Sequence, residues 1–106
     1  MALDANALYQ KLIEAGNDWA DKKAAYNILE DTKNAVLAKL MLSSDAPSVA
    51  AREVEAKASK EYSEHVQKTQ EAMKAALKAQ VKYESMKTYI DLKRTEAANL
   101  RAEMKL

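Results

Sequence analysis

Between Asp4 and Leu42, apolar side chains return at alternating steps of four and three residues. The row is Leu8, Leu12, Ala15, Trp19, Lys22, Tyr26, Leu29, Lys33, Val36 and Leu40, and only the two lysines break it. This spacing puts one coiled-coil-like stripe on one face of a helix. Ile13, Ala20, Ile28, Leu37 and Met41 widen the stripe to the broader apolar face of a bundle helix. Asp4 stands where an N-cap carboxylate would accept an orphaned backbone N–H. Gly16 falls just off the row and costs about 1 kcal/mol relative to alanine in a helix interior. The expectation is one continuous arm over residues 4–42, with any fraying confined to the stretch before Asn17.

The pattern stops at Ser43-Ser44-Asp45-Ala46-Pro47-Ser48, the one cluster of loop formers in the chain. Residues 43–48 are therefore the turn. Asp45 or Ser48 would cap the next helix, with Pro47 suited to a first helical turn, where its missing N–H is not needed. A second arm follows over about 48–104. Ser59 offers a fresh N-cap, and a break there makes Ser48 to Ala58 a short middle helix with Val49 and Val54 on its apolar side. Beyond it runs a weaker stripe: Tyr62, Val66, Thr69, Met73, Ala76, Gln80, Tyr83, Lys87, Ile90, Arg94, Ala97 and Arg101. Leu77, Val81, Met86, Tyr89 and Leu100 lie off this stripe, so the buried face is expected to drift around the helix.

Composition supports helices and nothing else. Of the 106 residues 48% are hydrophobic, but 21 are alanine, eight are valine or isoleucine and none is phenylalanine. A sheet core needs branched and aromatic side chains, whereas Ala, Leu, Lys, Glu and Met are good helix formers. The fold class is all-α: a single domain made of a long antiparallel helical hairpin, coiled-coil-like. Each arm of a two-helix rod meets one neighbour, and the first arm's apolar face is wider than one helix covers. A homodimer or higher homo-oligomer, with two hairpins forming a four-helix arrangement, is the expected remedy. Leu12, Trp19, Tyr26, Leu29, Val36 and Leu40 are the residues assigned to self-association. Lys22 and Lys33 either fix register and oligomeric state as polar breaks in the seam or, the favoured reading, snorkel with stem buried and ammonium in water.

Charge is nearly balanced, with 17 basic and 16 acidic residues, so no strong global field selects a partner. The last third is more basic. Lys74, Lys78 and Lys82 recur every four residues on one helix face, and Lys87, Lys93, Arg94 and Arg101 follow. Such a row is ordinarily a solvated face; as a candidate nucleic-acid contact it would track phosphates, with Tyr83 and Tyr89 available for stacking. Catalytic chemistry finds no support. There is no cysteine, no serine in a strand–turn–helix elbow and no glycine-rich phosphate cradle. Glu61 and His65 share a face, but two ligands do not make a metal site, and the Glu-x-x-His repeat of di-iron bundles is missing. No enzyme activity, cofactor or metal is expected. No run of about 18 apolar residues spans a membrane, and the alanine-rich apolar face is unsuited to lying on one. Met1-Ala2-Leu3-Asp4 lacks the marks of a signal peptide, so the expected location is cytoplasmic.

Several stretches carry a resemblance when taken together: Trp19-Ala20-Asp21-Lys22-Lys23-Ala24, Leu29-Glu30 with Lys33, Ala51-Arg52-Glu53, Glu61-Tyr62-Ser63-Glu64-His65, and the tail from Arg94 to Met104. They resemble a group of small bacteriophage and prophage proteins whose genes often lie near recombination genes. The tryptophan associated with that group between the positions of Lys87 and Arg94 is Tyr89 or absent in this chain. The resemblance implies a phage setting, in a bacterial host cytoplasm, and supplies no site. The function expected is a non-enzymatic, self-associating protein that binds another protein. The alternative is a DNA-binding accessory protein of recombination or replication that uses the basic C-terminal helix.

Overall fold

A computed structural model describes residues 4–105. Three helices follow in order: α1 (Ala5–Leu42), α2 (Val49–Lys57) and α3 (Lys60–Met104). Among the described residues there is no strand. At 1.5 Å per residue the 38 residues of α1 and the 45 of α3 make rods of about 57 and 68 Å. They pack side by side as a hairpin 83 × 20 × 16 Å. The radius of gyration is 23.5 Å, against about 13 Å for a compact domain of this length.

Each helix begins where its cap is. The Asp4 carboxylate accepts from the Asn6 and Ala7 amides at 3.0 and 3.3 Å. Ser48 Oγ accepts from Ala51 N at 3.1 Å and starts α2. Pro47 therefore lies just before the cap and not in the first helical turn, because Ser48 rather than Asp45 took that role. Ser59 Oγ accepts from Tyr62 N at 3.2 Å and donates to Ala56 O at 2.6 Å, closing α2 and opening α3 with one side chain. The bend is laced further by Ser44 Oγ to Glu55 at 2.8 Å and Arg52 Nε to Ala46 O at 2.9 Å. Val49 and Val54 are exposed, contrary to the apolar side expected of them; Ala56 is the buried residue of α2. A nine-residue helix held by its caps and loop bonds needs only a small contact point.

The core is thin. Ala15, Ala56, Thr69, Ala76 and Ala79 are the buried residues, and among the described residues no large side chain is fully buried. The exposed surface is 8348 Å², whereas a compact monomer of this mass exposes about 5,900 Å². Alanines at the contact let the two rods approach closely, and the larger side chains flank the line of contact.

Candidate interaction surface

The α1 row faces α3. Leu12, Trp19, Tyr26, Leu29, Val36 and Leu40, assigned above to self-association, are all half-buried along the hairpin seam. Leu8 and Leu12 form a groove of about 550 Å³ with Ile90, Lys87 and Arg94 of α3. Val36 and Leu40 line a second groove with Glu61, His65 and Lys68. These side chains are thus engaged by the chain's own third helix. Lys22 is exposed and grips Asp18 at 2.9 Å, one turn away on its own helix; Lys33 is half-buried.

Trp19 and Tyr83 pack with ring centroids 5.5 Å apart and planes tilted by 36°. Gly16 explains how they fit. A Cβ there would stand 3.3 and 3.4 Å from Cε2 and Cδ2 of Tyr83, so the single glycine of the chain makes room for that ring. α1 runs unbroken through it from Ala5 to Leu42, the continuous arm expected. Further along, His65 Nε2 lies 2.9 Å from Leu29 O. A carbonyl can only accept, so Nε2 carries the proton, and His65 pins α3 to α1. Glu61 and His65 do not converge on a metal; among the described residues no group of three or more potential ligands exists.

The α3 seam departs from the expected stripe. Ala72, Ala75, Ala79, Met86 and Lys93 turn inward with Tyr62, Thr69, Ala76, Tyr83 and Ile90. Met73, Lys87, Arg94, Ala97 and Arg101 are exposed. The inward residues keep a strict seven-residue repeat, Tyr62, Thr69, Ala76, Tyr83 and Ile90 beside His65, Ala72, Ala79, Met86 and Lys93, so the buried face does not drift around the helix as expected.

What remains outside is a row that the seam leaves unpartnered. Met73, Leu77 and Val81 succeed one another every four residues along the outer surface of α3, 41%, 52% and 62% exposed, and Thr88 and Leu92 continue the line. The only hint in the sequence was the four-residue spacing of large apolar residues off the main stripe. Lys74 and Lys78 flank the row. Lys74, Lys78, Lys82, Lys87, Arg94 and Arg101 are exposed, while Lys93 bonds Glu96 at 3.2 Å and lies 5.6 Å from the Tyr89 ring centroid. The hydrogen bond and charge of Glu96, then Tyr89, raise the Lys93 pKa above its ordinary 10.5; Glu53 does the same for Lys57. Both ammonium groups are cations at neutral pH. The structure thus gathers a long apolar row and a basic flank on one helix.

Comparison with protein-family models, with curated proteins and with solved structures gives no match. Among the described residues no helix is long and apolar enough to cross a membrane. The fold and surface define the class: an all-α, extended helical hairpin with an unpartnered apolar face.

Proposed function

We propose that this chain is a non-enzymatic helical hairpin whose work is binding: it self-associates and engages another protein, in the phage setting that the resemblance implies. The observation that carries this reading is the exposed row Met73, Leu77, Val81 and Leu92 on a rod with so thin a core. Contiguous apolar surface on a soluble rod marks a protein contact. The test is the mass in solution by light scattering at micromolar concentration, since elution volume alone misreads a rod. A mass of twice 11.8 kDa or more is expected, and a folded monomer at 11.8 kDa would remove the reading.

One observation favours a second reading, binding of nucleic acid. Among the described residues Lys74, Lys78 and Lys82 are exposed and in no ion pair. If they contact phosphates, affinity for single- or double-stranded DNA falls steeply with salt, and changing the three to glutamine weakens binding and flattens that dependence. Absence of binding at low salt would eliminate this reading.

A further inference from the structure

The outer surfaces of the two long helices differ in a matched way. α3 presents large apolar side chains, Met73, Leu77 and Val81, with Lys74, Lys78 and Lys82 beside them. The outer face of α1 presents Ala20 and Ala24 between the exposed Ile13 and Ile28, with Glu14, Asp21 and Asp31 around them, all exposed. The Trp19–Tyr83 contact fixes the level of the antiparallel helices: α1 beyond Trp19 runs abreast of α3 before Tyr83. The alanine face and the apolar row thus occupy the same length of the rod, one on each helix.

Resting on the reading of self-association, we infer that a second copy of the chain covers the α3 row, with its Ala20 and Ala24 seated against Leu77 and Val81. Large side chains of one helix then fill the space left by alanines of the other, the complementarity that ridge-and-groove packing requires. The lysines of α3 come beside the carboxylates of the second copy's α1, so the flanks attract. A two-fold axis repeats this contact, and the two hairpins close into a four-helix arrangement. Area supports the same occupant. The chain exposes about 2,400 Å² more than a compact monomer of its mass. That excess is enough for each copy to give up the roughly 1,000 Å² per partner at which obligate interfaces begin.

The chain has no cysteine, so single introduced cysteines report contacts without background. The first arm of the experiment compares the unaltered chain with the double variant Leu77→Glu, Val81→Glu by light scattering and circular dichroism. The second mixes Ala20→Cys with Val81→Cys under oxidation. The expected results are a mass of twice 11.8 kDa for the unaltered chain, 11.8 kDa with unchanged helicity for the double variant, and a disulfide joining the two cysteine chains. A double variant that stays dimeric, or cysteine chains that do not join, would overturn this surface and leave self-association standing. A monomeric unaltered chain would overturn both. Should the double variant lose its helicity, the cysteine pair alone decides.

Discussion

Gly16 offers the sharpest test of how the two rods fit. Two effects oppose each other when it becomes alanine. Losing the backbone freedom of glycine in a helix interior stabilises by about 1 kcal/mol. Against this, the new methyl meets Tyr83 at 3.3 and 3.4 Å, so the ring must move by a few tenths of an ångström. Tyr83 is half-buried, and the hairpin has solvent on both faces, so the ring is able to move. A carbon pair at its best separation of about 3.5–4.0 Å gains only about 0.1–0.2 kcal/mol, so a ring that shifts to that distance gives up little, and only two pairs are involved. The helix term wins: Gly16→Ala should stabilise by about 0.5 kcal/mol, raising Tm by roughly 2–4 °C. Gly16→Val should do the reverse. Valine has a lower helix propensity than alanine, and its extra carbons would push Tyr83 off Trp19, losing an aromatic pair worth about 0.5–1.5 kcal/mol. Thermal unfolding by circular dichroism at one fixed protein concentration reads both, because association makes Tm concentration-dependent. Trp19 is the only tryptophan, so its fluorescence reports the pair directly. Gly16→Ala costing 1 kcal/mol or more would show that the ring is held rigidly and that the argument has the balance reversed. A valine variant as stable as the alanine one would show that no ring stands there.

Two further substitutions test the joints of the hairpin. His65→Ala removes the hydrogen bond to Leu29 O and should lower stability by about 1 kcal/mol in denaturant unfolding, with helicity retained; an unchanged midpoint would mean that His65 does not pin the helices. Ser59→Ala removes the cap of α3 and should cost about 1 kcal/mol, with the Tyr62 amide exchanging faster with solvent; unaltered exchange at Tyr62 would speak against the capped break.

The sequence by itself determined the elements. The three-and-four spacing from Leu8 to Leu40 sets α1 and its inward face. One cluster of loop formers sets one bend, and Asp4, Ser48 and Ser59 set where helices begin, because a cap is a local bond between a side chain and amides two or three residues on. What only the tertiary structure decided is which surfaces the hairpin itself consumes. The α1 row packs along α3 and is left half-buried there. In α3 the second inward row runs through Ala72, Ala79, Met86 and Lys93 and not through Met73, Lys87 and Arg94, which leaves Met73, Leu77 and Val81 outward. The role of Gly16 was invisible for the same reason: Tyr83 lies 67 positions away, and no local rule joins them. Local hydrogen bonding and periodicity act over a few residues and are written in order along the chain. The pairing of faces depends on how two rods rotate against each other, and that rotation is set by the sum of many weak contacts between distant residues.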